Sequence, residues 1–110
     1  AGNEYFSVAP NGDIYPCHQF VGDEKFEMGN VNGGALNADI RSTFAENCLF
    51  TREKCDKCFA KYICSGGCSA NNYHFEGDMN KPYGVTCEMM KKRIECGMHV
   101  LARKRELKNV

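Results

Sequence analysis

Cys55-Asp56-Lys57-Cys58-Phe59-Ala60-Lys61-Tyr62-Ile63-Cys64-Ser65-Gly66-Gly67-Cys68 is the stretch on which the rest of the chain turns, and Cys87 answers it after eighteen intervening residues. Four thiols within fourteen residues exceed what packing asks of a small domain. Buried cysteine behaves as a small hydrophobe, but its soft thiolate is also the preferred ligand of zinc and of iron–sulfur centres. The C-x2-C spacing of Cys55 and Cys58 is a knuckle that turns both sulfurs toward one point. The C-x5-C-x3-C continuation returns Cys64 and Cys68 within a turn or two of backbone. Ser65-Gly66-Gly67 lets backbone approach closely and present N–H groups, which a sulfur-rich centre needs to offset its charge. The stretch is a metal-centre scaffold.

Composition sets the frame. A chain of 110 residues makes one small domain, with a modest core to which a metal centre would add folding free energy. Trp is absent and the formal net charge is zero, which argues against nucleic acid as a partner, because phosphate binding needs a basic excess. The charge is uneven: residues 87–110 hold seven Lys/Arg against three Glu, a solvated face or a surface for an acidic peptide. Eight cysteines allow a disulfide framework, two metal sites or a mixture. No signal peptide is visible, and the clustering suits metal better than bridges, as expected for a cytoplasmic protein in a reducing compartment. No apolar run is long enough to span a bilayer, so no membrane partner is expected. The chain starts at Ala1 in strand-like sequence and reads as a piece of something longer.

Outward from the cysteine stretch the expected fold is small α+β. Residues 1–34 form a hairpin and loop, 35–50 a helix, 51–75 the Cys-rich core and 86–107 a long C-terminal helix. Asn11-Gly12 predicts a two-residue turn that sets Phe6 opposite Cys17 and Val8 opposite Tyr15. Phe20, Val21, Phe26 and Met28 anchor the loop that follows, and His18 is a satisfied histidine rather than a ligand. Leu36, Ile40 and Phe44 recur at helical spacing behind Asn37 as a cap. The last helix starts at Thr86 as N-cap. It carries one stripe of Cys87, Met90, Ile94, Met98 and Leu101 and a narrower one of Met89, Cys96 and Val100. Two apolar faces predict a sandwiched helix whose second face meets another domain or chain. Cys87 and Cys96 stand about 13 Å apart along that axis and on opposite faces, so Cys96 is a packing residue. Cys48 fits packing and ligation equally well.

Cys55, Cys58, Cys64, Cys68 and Cys87 are one too many for a single four-thiolate site. One must serve elsewhere, with Cys17 as its companion. A zinc ribbon separates its knuckles by roughly fifteen to twenty residues, and these four are too crowded for that. A compact run with intervening glycines favours [4Fe–4S] ligation, though zinc can occupy the same thiols. A structural zinc module for protein contacts and a disulfide-stapled domain are the competing classes. Three scattered histidines and no plausible paired nucleophile leave no hydrolase.

The set C-x2-C-x5-C-x3-C…C, preceded by Gly12-Asp13-Ile14-Tyr15-Pro16-Cys17, resembles the SPASM domain of radical SAM peptide-modifying enzymes, from Ala1 to about Cys96. CFAKYICSGGC and PYGVTCEMMKKRIEC are most similar to the maturases of SCIFF peptides, precursors that receive thioether crosslinks. The resemblance implies two auxiliary [4Fe–4S] clusters, with Cys55, Cys58, Cys64 and Cys87 on the distal one and Cys68 and Cys17 on the proximal one. It implies electron transfer or substrate-thiolate binding as their work, and a radical SAM catalytic domain and a precursor peptide as partners. The pattern wants a further cysteine upstream of Gly12. Residues 1–11 hold none, so the proximal set is incomplete and its missing member is expected just ahead of Ala1-Gly2. The SAM-cluster motif C-x3-C-x2-C is also absent, because Asn71 stands where its third cysteine would be. SAM then belongs to the parent enzyme alone, and this piece carries no catalytic residues of its own.

Overall fold

A computed structural model of the protein describes residues 1–108; the last two positions of the expected 1–110 domain lie outside them. The chain forms two compact units, Ala1–Cys48 and Leu49–Val110. The first holds a sheet and one helix, and the second is helical, so the chain is α+β.

In the first unit β1 (Ser7–Val8), β2 (Asp13–Tyr15) and β3 (Gly29–Asn30) form an antiparallel sheet in the order β1-β2-β3. The hairpin is there, but its register differs by one residue from the expected one: Ser7 pairs with Tyr15 and Val8 with Ile14. Pro10 is the reason. The pair that closes a two-residue turn exchanges both N–H···O bonds, and proline has no N–H to give. Ala9 closes the loop instead, donating to the Asp13 carbonyl at 2.8 Å and accepting from the Gly12 N–H at 2.8 Å. Pro10-Asn11-Gly12 becomes a three-residue loop, with Gly12 in the left-handed region at φ 91°, as a type I turn followed by such a glycine requires. The Phe6–Cys17 pair is lost with the slip, both residues lying outside the ladder.

The segment expected as plain loop contributes β3, which pairs Asp13 with Asn30 and Ile14 with Gly29. It also holds two 3-10 turns, His18–Phe20 and Glu24–Phe26. These turns carry the core. Phe20 is fully buried, its ring 4.2 Å from that of Phe26 and 5.6 Å edge-on from that of Phe44. Met28 and Tyr15 are buried as well, whereas Val21, expected as an anchor, is exposed. Helix α1 (Ala38–Glu46) supplies Phe44 and is shorter than the expected 35–50. Asn37 caps it as expected, its side chain accepting from the Asp39 and Ile40 amides at 3.0 and 3.1 Å. Gly2, at φ 73°, lies so close to α1 that a Cβ there would stand 2.8 Å from the Phe44 Cβ.

The second unit contains α2 (Lys61–Cys64), α3 (Ser69–Glu76) and α4 (Gly84–Lys108). Its buried side chains are few and mostly small or polar: Cys55, Ala60, Ala70, Met79, Arg52 and Asn72. Asn72 joins α3 to α4, donating to the Met79 carbonyl at 3.1 Å and accepting from the Tyr83 amide at 3.0 Å. Helix α4 begins before Thr86, whose hydroxyl donates to the Tyr83 carbonyl at 2.8 Å from within the first turn. Within this chain only the first turns of the helix are partly covered. Cys87, Met90 and Ile94 are half-buried, but residues 95–108 are exposed all round, including Met98, Val100 and Leu101.

Replacing Asn37 with Ala should cost the first unit about 1 kcal/mol, the usual loss for an N-cap. The denaturant midpoint should fall with an unchanged slope, while Val21→Ala should leave it within about 0.5 kcal/mol.

Candidate metal centre

Tight backbone turns fix each cysteine of the central stretch. Lys54 adopts a left-handed φ of 64° just before the knuckle. The Cys55 amide then donates to the Arg52 carbonyl at 3.2 Å, and the Cys58 amide to the Cys55 carbonyl at 3.1 Å. Helix α2 carries Cys64 at its end, where the Cys64 amide donates to the Ala60 carbonyl at 2.8 Å. Three successive left-handed residues, Ser65, Gly66 and Gly67, then reverse the chain into Cys68, which precedes α3. The first turn of α4 supplies Cys87, its amide bonded to the Tyr83 carbonyl at 3.2 Å.

These turns place Cys55, Cys58, Cys64, Cys68 and Cys87 around one cavity of about 380 Å³. Lys61, Lys91 and Arg93 line it as well, positive charge suited to a site where several thiolates would gather. Among the described residues no three His, Cys, Asp or Glu side chains converge closely enough to grip a single ion; the cysteines surround a space. Cys55 is buried, and Cys58, Cys64, Cys68 and Cys87 are half-buried. Burial pushes the Cys55 thiol above its ordinary value; the Arg52 charge pulls it back, and Cys87, Cys64 and Cys58 push it up again. Cys87 is raised in the same way, by burial first and then by Cys64, with Lys91 opposing. The four thiols expected on the distal cluster therefore lie within electrostatic reach of one another.

Cys68 lines that same cavity, while half-buried Cys17 belongs to the first unit. Cys48 and Cys96 are exposed. Two residues of the site escaped sequence reasoning. Arg52 is only 5% exposed. Its guanidinium donates to the Gly66 carbonyl, to the Gly67 carbonyl at 2.8 Å and to Ser69 Oγ at 2.7 Å. Asn72, which lines the cavity itself, was the other. In a run as charged as Thr51-Arg52-Glu53-Lys54, one arginine looks like any surface cation. The only clue was the exposed set of carbonyls that a Ser-Gly-Gly reversal leaves in need of a donor.

Comparison with protein families matches residues 1–60 to SPASM, an iron–sulfur cluster-binding domain. The chain belongs to the SPASM family. The matched part of the SPASM domain takes in Cys17, Cys48, Cys55 and Cys58 and ends before Cys64. An uncharacterized protein of Archaeoglobus fulgidus is 33% identical over 106 residues, 93% of this chain and 25% of its own length. The PqqA peptide cyclase of Rhodopseudomonas palustris is 30% identical over 82 residues, 70% of this chain and 22% of its own. The SPASM chain thus spans about a quarter of the length of these curated relatives. No helix among the described residues is long and apolar enough to cross a membrane.

Alkylation of the metal-free SPASM chain tests the site's electrostatics, because the thiolate is the reacting form. A raised thiol holds its proton to higher pH, so at pH 8 Cys48 and Cys96 should be modified first and Cys55 and Cys87 last. The reactivity of the latter pair should still be climbing above pH 9.0, the ordinary thiol value, as read by peptide mapping.

Proposed function

We infer that this chain is the auxiliary cluster domain of a radical SAM enzyme that modifies a ribosomally made peptide. Cys55, Cys58, Cys64 and Cys87 are the ligands of one [4Fe–4S] cluster in this reading. The observation that carries it is the meeting of Cys87, from the start of α4, with the three earlier cysteines on one cavity in a SPASM chain. The donor set fits the group. Five soft thiols line one cavity of about 380 Å³, with Lys61, Lys91 and Arg93 beside them. Cys17 and Cys68 are proposed for the family's second cluster on its sequence pattern alone.

A bound four-cysteine cluster supplies one-electron transfer; an iron free of cysteine, with a Lewis-acid position for a substrate thiolate, would belong to the incomplete proximal set. The chain's own residues do the rest. The turns from Arg52 to Cys68 hold the sulfurs in place, burial of Cys55 keeps water from that wall, and Lys61, Lys91 and Arg93 offset the thiolate charge. A wider groove of about 620 Å³ shares Cys55, Cys58, Cys87 and Lys91 with the cavity, and a peptide segment would reach the centre along it. The cyclase relative acts on a peptide by its name, which supports a peptide substrate. Thioether formation is proposed from the CFAKYICSGGC and PYGVTCEMMKKRIEC phrases. Catalysis would lie with the radical SAM domain of the parent chain.

Anaerobic reconstitution with iron and sulfide should give the absorption and, after reduction, the EPR signal of a [4Fe–4S] centre. Cys58→Ser should abolish the signal, and Cys48→Ser and Cys96→Ser should leave it intact. A colourless product holding zinc in place of iron would favour a structural module instead, and failure to take up any iron would count against the cluster.

A further inference from the structure

We propose that Arg52 is a positioning residue for the thiol cavity, locking the Ser65–Cys68 reversal to the Cys55 knuckle and setting the reduction potential of the centre by its charge. The proposal rests on the cluster reading above. Three observations converge on Arg52. Its backbone carbonyl holds the Cys55 amide at 3.2 Å, tying it to the first cysteine of the knuckle. Its side chain, buried in the unit, reaches Gly66, Gly67 and Ser69, on both sides of Cys68. And the glycine at 66 is shaped to it: a Cβ there would stand 2.8 Å from Arg52 Nη1 and 2.9 Å from its Cδ.

The planar fork of arginine suits this place. It spans two successive carbonyls and a hydroxyl at once, which the point charge of lysine does not. These three acceptors are neutral groups, and the bonds to them orient the guanidinium. Gly66 and Gly67, whose carbonyls the guanidinium holds, line the cavity, so its charge sits next to part of the cavity wall. A positive charge held there in a low-dielectric setting stabilises the more negative, reduced state. One residue therefore has two separable effects, one from its shape and one from its charge.

Arg52→Lys and Arg52→Met separate them in the full chain. Without metal, hydrogen exchange at the Gly66, Gly67 and Cys68 amides should quicken in both variants, with α1 amides unchanged. In the iron-loaded protein, an EPR-monitored redox titration should place Arg52→Lys close to wild type. Arg52→Met should bind an electron about tenfold more weakly, which is about 59 mV for a one-electron couple. If Arg52→Met holds no iron, a loaded Arg52→Lys at the wild-type potential supports the charge effect, and equal loss of iron in both overturns it. Unchanged exchange at the reversal overturns the positioning role, and equal potentials in wild type and Arg52→Met overturn the electrostatic one. Failure of wild type itself to take up iron would sink the cluster reading, and the metal-free exchange would still judge Arg52.

Discussion

Five thiols lining one cavity are held close together and partly out of water, and the Leu49–Val110 unit is organised around that crowding. Each sulfur raises the cost of ionising its neighbours, and burial adds to it at Cys55 and Cys87. A multi-iron centre, as proposed, would relieve that crowding by taking the negative charge into bonds. The unit also has little else to fold around: its buried apolar side chains are Cys55, Ala60, Ala70 and Met79. With so small a core, binding free energy at the cavity becomes folding free energy. The first unit is built the opposite way, on the packed rings of Phe20, Phe26 and Phe44.

What stands in for a core around the cavity is a set of directed polar bonds. Asn72 fastens the loop at Met79 and the entry to α4 at Tyr83, and so fixes where Cys87 begins. Arg52 fastens the reversal between Cys64 and Cys68. Both side chains are almost wholly buried, and each satisfies backbone groups that a tight turn would otherwise leave without partners in the interior, where the penalty is largest. Short cysteine spacings demand such turns, and such turns demand such donors.

Much of this was legible in the sequence, for identifiable reasons. The cysteine spacings led to the family and drew attention to Cys55, Cys58, Cys64, Cys68 and Cys87, the five cysteines that line the cavity, because ligand geometry constrains spacing directly. The Asn37 cap was legible because capping is local. The hairpin register was not, since the Asn11-Gly12 signal outweighed what Pro10 forbids one residue earlier. Strand β3 has only two residues, too short to show a period. The apolar stripes of α4 mark faces, and within this chain only Cys87, Met90 and Ile94 are partly covered while Met98 and Leu101 are exposed; periodicity marks a face and does not name what covers it. Arg52 and Asn72 were hidden because their partners are backbone groups far along the chain.

The most direct test is a crystal structure of the anaerobically loaded protein, with anomalous data collected at the iron absorption edge. Iron density bonded to the sulfurs of Cys55, Cys58, Cys64 and Cys87 together is the predicted result. An ordered, iron-loaded molecule with Cys87 turned away from the iron would contradict the account.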